Sequence, residues 1–276
     1  MVDLRDPMFN NEDAAREALE AARWPHGPVC PHCREGQRIA KVEGQKRSHR
    51  PGLYYCNNCR KQFTVTVGTV FERSKVPLTK WWLAVHLLGS SEKGMSAHQL
   101  HRMLGVTYKT AWFMAHRIRE AMDDSTPTPE KPMGGKGGQV LADETYMGLS
   151  KQSKFYKKGH RNKWSVVALV DPETGEARTF HVKRANADTV RDVLVRNASR
   201  ESILVTDDVH LYRSIGTEFA GHKRVQHGKG KYVTDDGFTT NPVETFFSIF
   251  KRGMRGVYQH CGEQHFQRYL HEFDFR

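Results

Sequence analysis

The sequence predicts an α/β domain preceded by a small metal-stapled ribbon and a pair of short helices joined by a turn. Three observations carry this. Four of the five cysteines fall into two CxxC pairs, Cys30-Pro-His-Cys33 and Cys56-Asn-Asn-Cys59. Two helical runs flank Gly105-Val106-Thr107. Behind a Pro- and Gly-rich stretch, apolar runs of strand length alternate with helical spacing.

The N-terminal part begins with Asn11, placed to cap a helix on which Ala15, Leu19 and Ala22 recur on one face, before Trp24-Pro25-His26-Gly27-Pro28 breaks it. From Val29 to Thr69 the alternation is short and β-like: Arg38-Ile39-Ala40, Leu53-Tyr54-Tyr55 and Gln62 to Val67. Four thiolates close a tetrahedral zinc site with no position left for a substrate, so Cys30, Cys33, Cys56 and Cys59 are expected to hold a structural Zn²⁺. Disulfides or a redox pair are the weaker reading, because the N-terminus has no apolar leader and the cysteines no βαβ context. Small strands whose scant core is replaced by metal make a zinc ribbon. Cys261 reads as a packed small side chain.

Leu78 to Leu88 is apolar and helical, and its stretch from Trp81 falls well short of the ~20 residues that span a bilayer. Ser96 can cap Ala97 to Leu104, and Tyr108 to Met122 follows the Gly105 turn. That is a helix-turn-helix pattern, with Tyr108, Lys109 and Thr110 at the start of the second helix and Arg117 and Arg119 later. An ordinary helical hairpin fits the same pattern. Residues 123–138 form the clearest linker, with three Pro and four Gly. The expected division is 1–74 for the first helix and ribbon, 75–122 for the helix-turn-helix region, 123–138 for the linker and 139–276 for the α/β domain.

In that domain, Gln139–Thr145 reads as a strand ending in acid, followed by strands at Trp164–Val170, Ala177–Val182 and Ser202–Thr206. Helices are expected at 187–196, 209–219 and 242–252, with a polar, Gly-rich stretch before the last. Three strands, a helix, another strand and further helices suit an RNase H-like domain, among other α/β folds. Asp143 and Asp207 each end an apolar strand, and strand ends converge at one edge of such a sheet, where two acids can share divalent cations. Asp208 faces the other way and suits a helix cap. Glu244 is the candidate third acid. Lys251, seven residues on, lies on the same helical face, placed for a DNA phosphate. A capping box of Asn241, Pro242 and Glu244 explains the same residues equally well.

The chain carries 43 Lys plus Arg against 31 Asp plus Glu, a net +12, and +8 of this lies in residues 1–122. A basic excess without an amphipathic basic helix or lipidation signal favours a polyanionic partner. The loop from Met147 to Lys163, with six Lys or Arg, His160, Phe155 and Tyr156 and no acid, is either a solvated face or a track for a nucleic-acid backbone.

At this point the residues resemble a known family. Cys30-Pro-His-Cys33, Cys56 to Phe63, Gly68-Thr69-Val70-Phe71 and Lys109 to Met114 are similar to its N-terminal half. Ala142-Asp143-Glu144-Thr145, Thr206-Asp207, Asn241 to Phe247, Lys251-Arg252-Gly253 and Arg268 to Arg276 are similar to its catalytic half. The family is the bacterial insertion-sequence transposases that join a zinc ribbon to an RNase H-like DDE-type domain, the ISXO-like group. The resemblance implies catalytic Asp143 and Asp207, Glu244 as third ligand with Asn241 as its alternative, and Lys251 as the basic residue that follows. It implies Mg²⁺ or Mn²⁺ at Asp143, Asp207 and Glu244, and metal-dependent cleavage and strand transfer on double-stranded DNA at element ends and target. It further implies a homo-oligomer, a dimer in the DNA complex, and a cytoplasmic, nucleoid-associated location. The rival readings are an inactive zinc-ribbon and helix-turn-helix regulator, and an RNase H-like nuclease that cuts without joining.

Overall fold

In the computed structural model, residues 3–42, 49–123, 132–148, 163–207, 210–226 and 232–276 are described. They divide into two units, one of Met1–Ser91 with Ala97–Ile118 and one of Glu92–Ser96 with Arg119–Arg276.

In the first unit, α1 (Glu12–Arg23) starts where the cap was expected: the Asn11 side chain accepts from the Asp13 and Ala14 amides. Ala15 and Leu19 are buried, but Ala22 is exposed, and Trp24 takes the inward position instead. An antiparallel sheet follows, of β1 (Ile39–Lys41), β2 (Tyr54–Cys56) and β3 (Gln62–Phe63). Its third strand is shorter than expected. Thr64 to Val67 alternate like a strand but form a turn, whose Val67 carbonyl accepts from the Arg23 guanidinium at 2.6 Å. Trp24, Tyr54 and Phe63 stack edge and face beside Cys30 and Cys56 in a small core.

Helices α2 (Leu78–Gly89), α3 (Ala97–Leu104) and α4 (Tyr108–Ala121) lie where the periodicity puts them. The Glu12 carboxylate accepts the Leu78 amide at 2.7 Å, and the Trp82 indole donates to the Ala15 carbonyl at 2.9 Å, tying α2 to α1. Gly105 turns at φ +59°, and His98 stacks on Tyr108 at 4.4 Å between ring centres.

The second unit is built on a five-stranded sheet. Its strands are β4 (Gln139–Met147), β5 (Trp164–Val170), β6 (Ala177–Val182), β7 (Ile203–Asp207) and β8 (Gly221–Val225), in the order β6-β5-β4-β7-β8. β5 runs antiparallel to both neighbours, whereas β4, β7 and β8 run parallel. This is the order and sense of an RNase H-like fold. Alternation then sorts the faces. Val140, Ala142 and Leu204 meet α5 (Ala187–Asn197), Tyr212 and Ile215 on one side. Leu141, Val205 and Val225 meet α6 (Asn241–Gly253) and α7 (Phe266–Asp274) on the other.

Four expectations need correction. The strand of Asp143 does not end at the acid; β4 runs to Met147 because β5 pairs along its whole length. β8 reads as a polar stretch in the sequence, since Gly221-His-Lys-Arg-Val lies at a sheet edge and has one apolar residue. In place of a helix at 209–219, the described residues form two 3-10 turns, His210–Tyr212 and Ile215–Glu218. Finally, α6 is capped by Thr240, so Asn241 is its first residue and not its cap. Asp208 and residues 149–162 of the basic loop lie outside the described residues.

α6 leads directly into a π-helical turn, Met254–Tyr258. A Cβ on Gly253 would lie 2.5 Å from Phe273 and 2.9 Å from the Lys93 carbonyl, so only glycine fits. Nearby, Arg119 and Glu272 form an ion pair at 2.6 Å with side chains 2% and 0% exposed. The Tyr258 hydroxyl and Arg276 also bond Glu272, and the Arg119 guanidinium sits 4.3 Å from the Tyr269 ring centre.

Candidate active site and metal centre

Two CxxC turns face each other across the ribbon. The sulfurs of Cys30, Cys33, Cys56 and Cys59 all lie within 4.8 Å of one another, and among the described residues no other such group occurs. Cys30 to Cys59 and Cys33 to Cys56 are each 3.6 Å. That is far longer than a disulfide and close to the edge, about 3.8 Å, of a tetrahedron with ~2.3 Å zinc–sulfur bonds. The thiols titrate as a group in opposite directions: the Glu35 backbone N–H draws Cys33 down to about 7, while burial and the neighbouring sulfurs push Cys59 up to about 12. The donor set fits Zn²⁺.

The carboxylates are assembled from three elements. The parallel ladder of β4 and β7 ends at Leu141 opposite Val205. Continued by two residues, the register sets Asp143 beside Asp207. By alternation both share the face of Leu141 and Val205, the face covered by α6. Glu144 belongs to the opposite face, where its carboxylate accepts the Tyr212 hydroxyl at 2.6 Å.

On α6, Glu244, Phe247, Ser248 and Lys251 recur at helical spacing and line one cavity of about 700 Å³ with Asp143, Glu144 and Thr145; Arg252 and Arg255 border it too. Sequence reasoning did not single out Arg255, whose place depends on the π turn after α6. Glu244 accepts the Thr240 hydroxyl at 2.9 Å, so the acid that lines the cavity also braces the start of its helix. Asn241 lines a separate cavity of about 900 Å³ with Pro242, Phe246 and Ile249.

Burial, then the neighbouring Glu144, Asp207 and Glu244 charges, push the Asp143 carboxyl up to about 7, although its Oδ1 accepts the Glu144 amide at 2.8 Å. Burial also raises Glu144. Asp143, Asp207 and Glu244 thus present oxygen donors whose mutual repulsion a hard divalent cation would relieve. The three acids are not gathered as the sulfurs are: their ligand oxygens do not all lie within 4.8 Å. Holding one ion between them requires side-chain rotation or bridging water.

Comparison with known proteins adds the following. Residues 136–276 match the ISXO2-like transposase domain, and residues 10–62 match the transposase zinc-ribbon domain. An "uncharacterized protein in transposable element ISH50" from Halobacterium salinarum is 30% identical over 283 residues, covering 97% of this chain and 91% of that one. Among solved structures, a simian T-cell lymphotropic virus intasome with PP2A regulatory subunit B56 gamma is similar at TM-score 0.33 and 14% identity, over 63% of each chain. The HTLV-2 integrase catalytic core with magnesium, in a trimeric form, is similar at TM-score 0.29 and 14% identity, over 51% of this chain and 86% of that one. Likenesses this loose say nothing about individual residues. No described helix is long and apolar enough to cross a membrane.

Proposed function

The chain belongs to the ISXO2-like transposase family, and from that premise we propose that it binds the ends of an insertion sequence and catalyses their metal-dependent cleavage and strand transfer. The observation that carries this reading is the single cavity where Asp143 meets Glu244 and Lys251, on the sheet face that Asp207 shares.

In this reading Asp143, Asp207 and Glu244 hold Mg²⁺ or Mn²⁺. The chemistry such ions supply is charge stabilisation of an in-line displacement at phosphorus. Lys251, with Arg252 and Arg255 beyond it, lines the basic end of the cavity and takes the backbone phosphates, fixing the scissile bond over the acids. Phe247 supports Lys251, whose ammonium lies 5.9 Å from the ring centre. Glu244 and not Asn241 is the third acid, supported by their placement in different cavities. The ribbon, with Zn²⁺ on its four cysteines, and the α3–α4 pair read the element end. Two copies act together, because two ends must be joined.

The test uses purified protein, Mg²⁺ and short duplexes carrying the flanking element's ends. Cleavage and joining are expected from the wild type and not from Asp143→Asn. Specific binding with no cleavage in Mg²⁺ or Mn²⁺ would instead make the protein a DNA-binding regulator, and cleavage without joining would make it a nuclease.

A further inference from the structure

No backbone rung links β4 to β7 where the two acids sit. The ladder pairs Gln139 to Leu141 with Ile203 to Val205 and stops two residues short of Asp143 and Asp207. Each strand is held on its far side, β4 by β5 and β7 by β8. Their separation at the acids is therefore set by the ladder two residues back, by the outer strands and by whatever side-chain bonds join the two segments.

Among the described residues, a side-chain bond joins the two segments beyond the ladder. Tyr212, five residues after Asp207, is fully buried in the α5-side core among Ala142, Leu204 and Ile215. Its hydroxyl donates to Glu144 Oε2 at 2.6 Å, a length typical of a bond to an ionised acceptor. Glu144 is the residue after Asp143, and its amide holds Asp143 Oδ1. The bond thus ties the chain just past one acid to the residue adjoining the other.

We infer that Tyr212 is a positioning residue: by bonding Glu144 it holds the segment after Asp207 against β4 and sets the spacing at which Asp143 and Asp207 share a divalent cation. The inference rests on the reading of those two acids as a metal pair.

The experiment measures Mn²⁺ binding to the full-length, zinc-loaded protein by electron paramagnetic resonance, with cleavage of element-end duplexes assayed in parallel. Tyr212→Phe keeps the ring and its packing and removes only the donor. It is expected to weaken Mn²⁺ binding by about tenfold, the scale of one hydrogen bond to a charged group. Glu144→Gln, whose amide oxygen still accepts from Tyr212, should bind Mn²⁺ within about threefold of wild type, since one neutral acceptor replaces a charged one. Asp143→Asn marks full loss. Three outcomes overturn the inference: Tyr212→Phe binding Mn²⁺ like wild type with only its melting temperature lowered, Glu144→Gln losing the ion as Asp143→Asn does, or a wild type that takes up no Mn²⁺. A wild type that binds Mn²⁺ in a Tyr212-dependent way yet leaves the duplexes uncut fails the transposase reading alone. Active protein that is inactivated by Asp143→Asn but indifferent to Tyr212→Phe fails the positioning alone.

Discussion

The two sites suited to metals are built in opposite ways. The sulfurs come from two tight turns on a small sheet and already lie at tetrahedral spacing. The carboxylates come from β4, β7 and α6, far apart in the chain, and share a cleft without closing on one point. A structural ion replaces a core that a ribbon this small lacks, so its ligands are gathered tightly. A site of the kind proposed would have to admit a substrate, and its acids do border an open cavity.

Breaking the sulfur side should give the largest effect. Cys56→Ser, or removal of Zn²⁺ by a chelator, is expected to unfold residues 29–69, since structural zinc contributes roughly 10–16 kcal/mol of apparent binding energy. Hydrogen exchange would localise the loss, with protection of β4 to β7 retained. Retained protection in the ribbon would mean that its small aromatic core holds without metal.

On the carboxylate side, Asp143→Asn and Asp207→Asn should each lower cleavage by about 10³-fold or more, as removal of a key electrostatic group does elsewhere. The melting temperature of Asp143→Asn should rise, because burial opposes that charge in the folded chain. A fall in both together would show that the acid serves the fold.

The α/β unit has a buried ion pair where the ribbon has a thiol cluster that fits zinc. Arg119→Met removes one of two guanidinium partners of an almost wholly enclosed Glu272, leaving Arg276 and the Tyr258 hydroxyl, and should destabilise the unit by about 3 kcal/mol in urea unfolding. Loss of under about 1 kcal/mol would place the pair among those whose attraction only balances desolvation.

The smallest effect is a slope with pH. Asp274 is half-buried, and desolvation raises it to about 8 even though Thr179 donates to it from its amide at 3.0 Å and its hydroxyl at 2.7 Å. A folded state that holds this proton more tightly than the unfolded chain is most stable below the ordinary carboxyl value of 3.8 and loses that advantage as pH rises to about 8. Asp274→Asn should flatten melting temperature against pH across that window. An unchanged slope would assign the proton elsewhere.

Much of this architecture was readable from residue order. The CxxC spacing foretold the sulfur cluster, and helical spacing placed α1 to α6. Strand-length apolar runs placed β4 to β7 to within a few residues. The rest depended on tertiary contacts. Leu211, Ile215 and Phe219 recur as on a helix, yet Gly216 packs so closely on His222 that a Cβ would lie 2.0 Å from the ring, and the segment breaks into short turns. Thr64 to Val67 follow a guanidinium donated from α1 in place of a third long strand. The acids themselves were legible as types at apolar strands. Their common face needed the register of a parallel pair, which local spacing does not encode.

The burial that opposes ionisation of Asp143 has a consequence for the lineage as well as the reaction. A carboxylate the fold would sooner be without is not guarded by selection for folding. If Asp143→Asn holds or raises the melting temperature as expected, a copy that loses this acid would keep its sheet and its ribbon, and selection for folding would not notice. Under the proposed function, decay of catalysis and decay of structure would then be uncoupled at this residue, and well-folded but silent descendants would follow.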